Sequence, residues 1–410
     1  MKKASLIALL TANAISMTGN IFAMIAIPWF VLQTTGSPAK TGLTGFTITL
    51  AAVVATFFGG AIVDRLGFKI TSIIADLASG FSFALIPLLY STVGLEFWQL
   101  ILLVFIGNFL DAPGTTAREA LIPDLAEAGG VSLEQASSLI QAVERGSRMV
   151  GAPLAGMLIA AVGANDVIWV DAISFAVSAL IVGLFIPLLH RRSEPVQEKT
   201  HYLTDIREGI QFILKDRLML AIVLVVVCAN FLDSPLLGVM YPVYFQRFFG
   251  TALDLGLVVS AGGAGALISA LIYGAVGRRF SRRLFFFGGF LLATLRFFIY
   301  PLVPPIWVLV TVSLIGGLAS GPINPIISTV SYERIPLNFR GRVLGTMTSM
   351  AYVAMPLGTA LAGIILESVD VRAMMLAMGV LYVSLIVLAM FVPALRGLER
   401  EESLSGEGNV

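Results

Sequence analysis

Twelve long apolar stretches, divided by short polar turns, set the pattern of this chain. They run at roughly 6–32, 42–63, 70–92, 98–121, 136–162, 166–188, 217–246, 253–277, 284–303, 306–330, 342–367 and 372–395. A run of about 20 apolar residues is long enough to cross a ~30 Å hydrocarbon core as an α-helix. A membrane β-barrel would show ~10-residue alternating segments instead, and the chain has none. The pattern predicts an all-α polytopic membrane protein with twelve transmembrane helices.

Composition agrees. The chain is 57% hydrophobic and 12% charged, with a mean hydropathy of +0.92. A soluble domain carries roughly a quarter charged residues. The position of the charges then orients the chain. Of 26 Lys and Arg, 22 lie at the termini, in even-numbered loops or in the span ends adjoining those loops, Lys40, Arg247 and Arg372 lie at odd loops, and Arg296 lies near the middle of a span. The positive-inside rule places both termini in the cytoplasm. The net charge of +1 therefore reports membrane orientation, and no nucleic-acid partner is expected. Met1-Lys2-Lys3 followed by an apolar run imitates a cleavable signal peptide. That run continues to Leu32, so an uncleaved first span is expected. Cys228, the single cysteine, excludes disulfides within the chain.

Two halves repeat at an offset of 214 positions. Gly60-Ala-Ile-Val-Asp64-Arg65-Leu-Gly67-Phe-Lys69 answers Gly274-Ala-Val-Gly-Arg278-Arg279-Phe-Ser-Arg282-Arg283. Ile27-Pro28-Trp29-Phe30 answers Tyr241-Pro242-Val243-Tyr244, and Gly107 answers Gly321. Parallel repeats in a membrane chain are a transporter signature, with the substrate site at the repeat interface. The expected organisation is an N-terminal six-helix bundle (1–189), a central cytoplasmic loop (190–216), a C-terminal six-helix bundle (217–396) and a tail (397–410). Within the loop, Ile206, Ile210 and Ile213 recur at helical spacing. They fit an amphipathic helix on the membrane surface or a simple tether.

The first copy of the repeated turn resembles the major facilitator superfamily pattern G-x-x-x-D-R/K-x-G-x-R/K between helices two and three. Ile70 stands where the family has a second trailing basic residue. Further stretches are similar to bacterial drug and siderophore exporters, the macrolide-efflux and enterobactin-exporter branch. These are Ile27-Pro28-Trp29 with Thr35-Gly36-Ser37-Pro38, Phe109-Leu-Asp111-Ala-Pro113 with Leu121-Ile-Pro123, Val170-Asp171-Ala-Ile-Ser174-Phe175, and Arg340-Gly341-Arg342-Val343. Two departures stand out. The fifth-helix pattern reads Gly151-Ala152-Pro153-Leu154-Ala155-Gly156, with its proline displaced by one. The arginine that many facilitator antiporters hold within helix four is absent, Arg118 lying near the cytoplasmic end.

No His-Glu-x-x-His, Cys-x-x-Cys or phosphate loop occurs, and neither histidine falls in a span. No enzyme, metal or cofactor is expected. Charges inside spans are costly and default to function. Asp111, Asp233 and Arg296 fall near the middle of spans four, seven and nine. Asp76, Asp171, Glu144 and Glu367 fall closer to ends. Polar stripes at helical spacing join them: Asn13, Met17, Asn20 and Met24; Asn108, Asp111, Thr115 and Arg118; Asn230, Asp233, Leu237, Met240 and Tyr244; Ser320, Asn324, Ser328 and Ser331. These occupy spans one, four, seven and ten, which line the central cavity in the family it resembles. Helix-to-helix glue is the alternative for the polar residues, and packing is the alternative to a soft binding surface for the methionines.

The expected substrate-binding residues are Asn13, Met17, Asn20, Met24, Asn108, Asn230, Met240, Tyr244 and Asn324. Proton coupling is assigned to Asp111, Asp233, Arg296 and Glu144, although Asp233 and Arg296 also fit a fixed structural pair. Arg118 lies seven residues from Asp111, about 10.5 Å along a straight helix, too far for a direct pair and placed to serve Glu144 or substrate. Gly60, Asp64, Arg65, Gly67, Lys69, Arg278 and Arg279 are the expected conformational latch. In it Asp64 caps the helix beginning near Gly341, Lys69 reaches carboxylates or lipid phosphates, and the glycines allow a tight turn and close approach. The four arginines of the second copy also fit topology alone.

The resemblance implies a monomeric, proton-coupled exporter of amphipathic small molecules in a bacterial cytoplasmic membrane, with protons and membrane lipids as its other partners. A lipid or lysolipid flippase and a non-transporting receptor or scaffold are the alternatives.

Overall fold

The computed structural model describes residues 2–187, 202–277 and 281–399, and their side chains apart from those of 2, 56–65, 202–205, 276 and 338. His190, Pro195, His201, Arg278 and Arg279 lie outside the described residues, as do the surroundings of Gly60 and the side chains of Asp64 and Arg65.

Every described element is helical. The helices are α1 (Lys2–Thr35), α2 (Pro38–Leu66), α3 (Phe68–Ser91), α4 (Phe97–Ala120), α5 (Ile122–Gly129), α6 (Leu133–Val162), α7 (Ala164–Phe185) and α8 (Tyr202–Lys215). After these come α9 (Arg217–Pro235), α10 (Tyr241–Phe248), α11 (Ala252–Val276), α12 (Arg282–Ala293) and α13 (Leu295–Ile299). The last four are α14 (Ile306–Ser320), α15 (Ile323–Arg334), α16 (Arg340–Leu366) and α17 (Val371–Met390). Among the described residues, ten helical stretches are long and apolar enough to cross a membrane. The two remaining expected spans correspond to α2, whose residues 56–65 have undescribed side chains, and α6, which carries Glu144, Arg145 and Arg148 in its first half. The first helix runs without a break from Lys2 to Thr35.

Local chemistry fixes the helix ends. Glu96 and Gln99 form a reciprocal capping box at the start of α4. Ser132 Oγ accepts from the Gln135 amide (3.2 Å) at the start of α6. Asp216 Oδ1 accepts from the Leu218 and Met219 amides (2.9 and 3.1 Å) at the start of α9. Gly67 begins α3 with φ +78°, a backbone that a side chain resists. A Cβ there would meet nothing within 4 Å. Gly67 thus serves the turn, and the expected close helix approach is corrected.

Three helices change character along their length. Unit 1 comprises Met1–Gln197, Asp233–Ser260 and Met355–Val371; unit 2 comprises Glu198–Leu232, Ala261–Ala354 and Arg372–Val410. Unit 1 therefore takes one end each of α9, α11 and α16. Between α9 and α10 the chain forms a π-helical turn, Leu236–Met240, just after Pro235. Proline has no N–H to donate, and a widened turn is one way a helix absorbs that loss.

Glycine contacts bring these segments onto α2 and α6 within unit 1. A Cβ on Gly42 would lie 2.6 Å from Gly363 Cα, and one on Gly45 would lie 2.7 Å from Thr359 Cγ2 and 3.3 Å from Gly238 Cα. A Cβ on Gly156 would lie 2.6 Å from the Ala252 carbonyl, and one on Gly256 2.6 Å from the Ala152 carbonyl. Gly42 and Gly256 stand 214 positions apart, so the internal repeat has reused one contact device.

Glu367 reinforces the α2–α16 contact. Its Oε1 accepts from the Ser37 hydroxyl and from the Ala39 amide (3.1 Å) at the start of α2. The Ser37 bond, then the Ala39 bond and the nearby Lys40 charge, hold this carboxyl below its ordinary range. A carboxyl depressed in the folded state adds stability above its unfolded pKa and loses it as pH falls through the lower folded value. Replacing Glu367 by glutamine is therefore expected to lower the melting temperature near neutral pH. The gap from the parent should shrink as the pH drops below about 4.3, the ordinary glutamate value. A gap that does not change with pH would assign the effect to shape rather than charge.

Unit 2 holds the connecting helix. Gly209 of α8 lies so close to α16 that a Cβ would sit 3.0 Å from the Arg342 carbonyl and 2.3 Å from Thr346 Oγ1. Arg342 pairs with Glu208 (2.6 Å), Arg334 pairs with Asp216 (3.0 Å), and Ile213 is buried with Met219, Val223, Ile335, Val343 and Met347. Of the apolar face seen in the sequence, Ile213 packs against protein, Ile206 is half-buried and Ile210 is exposed, so α8 is docked on unit 2 and is not a simple tether.

Candidate functional site

Four helices of unit 1 converge on one guanidinium. Arg118, on α4, is completely buried. Its Nη1 pairs with Asp76 Oδ1 on α3. Its Nε donates to Asn13 Oδ1 on α1 (3.0 Å), and its Nη2 donates to Thr115 Oγ1 (3.1 Å) and Ser16 Oγ (3.3 Å). Asp76 Oδ2 accepts from Ser178 Oγ on α7 (2.7 Å). Burying a charge is costly unless it is paired and hydrogen-bonded, and here both conditions are met.

Asp111 stands at the edge of this network. Its Oδ1 lies 3.9 Å from Arg118 Nη2, and its Oδ2 accepts from Asn20 Nδ2 (3.0 Å). It keeps 21% of its side-chain surface open, against none for Asp76 and Arg118. The expected separation of Asp111 and Arg118 is corrected by this geometry. Helix side chains lean toward the N-terminus, so a long arginine reaches back over most of the axial rise. The expected service of Arg118 to Glu144 is corrected too. Glu144 forms an i,i+4 pair with Arg148 (3.0 Å) on a largely exposed face of α6.

Close packing makes this convergence possible. A Cβ on Gly114 would lie 2.9 Å from Ala75 Cβ, beside Asp76 and Arg118. Ser79 Oγ donates to the Gly107 carbonyl and Ser82 Oγ to the Leu103 carbonyl (2.9 Å each), fastening α3 to α4. On the other side, a Cβ on Gly19 of α1 would lie 2.0 Å from Ser174 Oγ and 2.6 Å from Asp171 Oδ1 on α7.

The other expected binding residues scatter. Met17 is half-buried and Met24 more exposed on α1. Asn108 Nδ2 donates to the Val104 carbonyl of its own helix (2.8 Å). Asn230 Nδ2 donates to the Ala351 carbonyl in unit 2 (2.9 Å), a helix-to-helix brace. Met240 and Tyr244 are fully buried, and Tyr244 packs against Phe245, Phe248 and Phe249. Their expected place on a cavity wall is corrected for this structure: the π-helical turn and α10 bury that stripe. Asn324 is exposed on α15. Asp233 is half-buried in unit 1, and Arg296 lies over the Phe297 ring (5.3 Å) in unit 2.

Of the described latch residues, Lys69 is reassigned. Its Nζ donates to the Gly183 and Ile186 carbonyls (2.9 and 2.6 Å), closing the C-terminal end of α7. Last-turn carbonyls lack helical partners and attract a cation. The carboxylate or lipid phosphate expected for Lys69 is thereby replaced by a helix end.

Two residues were missed by reading the sequence for lining stripes: Ser178, which completes the network from helix six of the count, and Ser16, which shares a face with Asn13 and Asn20. Asp76 was visible as a charge inside the third span, but not its pairing with Arg118.

An all-helical, multi-pass fold with a buried ion network defines the class, and comparison with known proteins supplies the family. The model of the Major Facilitator Superfamily matches residues 9–250 and 223–408. The chain belongs to the major facilitator superfamily of membrane transporters. It is 32% identical over 403 residues to the "Multidrug efflux pump Tap" of Mycolicibacterium fortuitum, covering 97% of this chain and 98% of that protein. It is 22% identical to "Macrolide efflux protein A" of Streptococcus pyogenes, covering 94% and 95%. Its fold is similar to the crystal structure of the nucleoside transporter NupG, with a TM-score of 0.79 at 12% identity, covering 95% of this chain and 98% of that one.

Proposed function

We propose that the protein exports amphipathic small molecules of the drug class by proton-coupled antiport, across a bacterial cytoplasmic membrane and with both termini inside. The end-to-end similarity to a multidrug efflux pump carries this reading. In it, 1–189 and 217–396 act as two six-helix halves, and the chain works as a monomer. Met17, Asn20, Met24 and the open edge of Asp111 form a soft, weakly polar surface for substrate, with the buried Arg118 network behind it. Asp233 and Arg296 remain coupling candidates of the second half. Gly60, Asp64, Arg65, Arg278 and Arg279 remain a proposed latch.

The test uses inverted membrane vesicles and ethidium, a lipophilic cationic dye. An imposed proton gradient, acid inside, should drive dye uptake, and collapsing the gradient should stop it. Uptake of fluorescent lysolipid in place of dye would favour a flippase. Binding of the dye with no gradient-dependent uptake would favour a receptor.

A further inference from the structure

The Arg118 network leaves one carboxyl without a role. Asp171 on α7 is completely buried. Among the described residues, neither of its carboxyl oxygens has a hydrogen bond of full bonding geometry, and Ser174 is the one donor close to it. The neighbouring Ser174 hydroxyl donates instead to the Asp171 backbone carbonyl (2.8 Å). The space that Asp171 occupies exists because residue 19 of α1 is a glycine, whose missing Cβ would sit 2.6 Å from Asp171 Oδ1. The next residue on α1, Asn20, holds Asp111 Oδ2. Adjacent positions of α1 thus face the two acids, one sealed and one partly open.

The charged groups on the helices packed around Asp171 are few. Helix α3 brings Asp76, which Arg118 and Ser178 satisfy. Helix α4 brings Asp111, the charged group that acts on Asp171, and Arg118, already shared between Asp76 and Asp111. Helix α1 has no charged residue beyond Lys2 and Lys3 at its start. The Glu144 of α6 is committed to Arg148 at the surface. Asp76 and Asp111 therefore share the Arg118 guanidinium, while Asp171 faces the Asp111 carboxyl instead of a cation, with Ser174 as its one nearby donor. A bare carboxylate in such a place would bear the full cost of a buried, unpaired ion, whereas a bound proton removes the charge.

We infer that Asp171 is the group that carries the coupled proton. This deepens the proton-coupled export proposed above and moves the exchanged proton from Asp111 to its sealed neighbour. One O–H bond forms on the Asp171 carboxylate with a proton taken from water on the outer side. The same bond breaks to water on the inner side, and the charge of the group changes by one each way. Asp111, at the open edge of the cluster, positions Asn20 and keeps the approach polar.

Asp171→Asn separates this from a packing role, because the amide matches the protonated acid in size and charge. Purified full-length protein is mixed with ethidium in weakly buffered solution and proton release is followed with a pH indicator. Vesicles give gradient-driven uptake and dye-for-dye exchange in parallel. The parent protein should release protons on binding dye, drive uptake, and show pH-dependent exchange. The variant should melt at the same temperature, bind dye with unchanged affinity and exchange it independently of pH, while proton release and driven uptake fall to background. Retention of proton release or driven uptake by the variant would overturn the inference. So would a large loss of stability, which would show that the charged form is part of the fold. If the parent itself releases no protons and drives no uptake, the proton-coupled export reading fails first, and that outcome is distinct.

Discussion

Asp76→Asn should strip the protein of much of its stability, although it removes no atom from the core. The variant side chain still fills the space on α3, and Ser178 still has an oxygen to bond. What disappears is the full negative charge in direct contact with Arg118, which is buried to zero exposure among α1, α3, α4 and α7. Asp111 at 3.9 Å is the nearest substitute among the described residues, and it is already held by Asn20. Removing one partner of a buried ion pair costs about 3–5 kcal/mol, because the other charge stays behind unpaired. Removing both is far cheaper, so Asp76→Asn with Arg118→Gln should recover part of the loss. Thermal melting in detergent, read by intrinsic fluorescence, gives all four corners of the cycle. If Asp76→Asn melts with the parent, Arg118 draws its stability from Asn13, Ser16 and Thr115, and the ion pair is incidental. The contrast with Asp171→Asn, expected to be silent in the same melt, tests whether two buried aspartates one helix apart hold opposite charge states.

How far the sequence alone reached follows from what each signal encodes. Hydropathy and the basic loops carry fold class, because the bilayer sorts residues along a single axis. Helical spacing placed Asn13 with Asn20, and Asp111 with Arg118, on shared faces, and the structure joins both pairs into one network. Spacing reports a face but not what covers it. Met240 and Tyr244 keep their stripe and still vanish into an aromatic cluster. Axial rise misjudged Arg118, since it measures backbone and ignores a long side chain leaning back along the helix. Partners drawn from other helices, such as Asp76 and Ser178 for the arginine or the end of α7 for Lys69, leave no trace in a single chain. The glycines were legible only as small residues. Which of them touch a facing backbone is a matter of three-dimensional approach.

That approach yields the second large effect. Gly156→Val should abolish transport while the protein still inserts and folds. In unit 1, α6 and α11 meet where a Cβ at Gly156 would fall 2.6 Å from the Ala252 carbonyl and 3.0 Å from Leu253 Cα. Those are backbone atoms, which cannot rotate out of the way as a flexible side chain would. Gly363→Val meets the same obstacle at Gly42 Cα (2.7 Å) and the Pro38 carbonyl (2.9 Å), where α16 meets α2. An overpacked contact costs typically about 1–3 kcal/mol. When the contact exists in only one of two near-equal conformations, that cost shifts their ratio by roughly 5- to 150-fold. Alternating access requires such contacts to form and break in every cycle, so the variants should be held with the seam parted. With Cys228 replaced by serine, spin labels at Lys40 and Ser368 flank the α2–α16 seam and should report a longer distance in Gly363→Val than in the parent. Gly146→Ala is the control for α6, because nothing lies within 4 Å of the added carbon there, and it should transport normally. Parent-like flux in Gly156→Val and a parent-like label distance in Gly363→Val would mean that these glycine contacts tolerate a side chain, and that closure of the seam takes no part in the cycle.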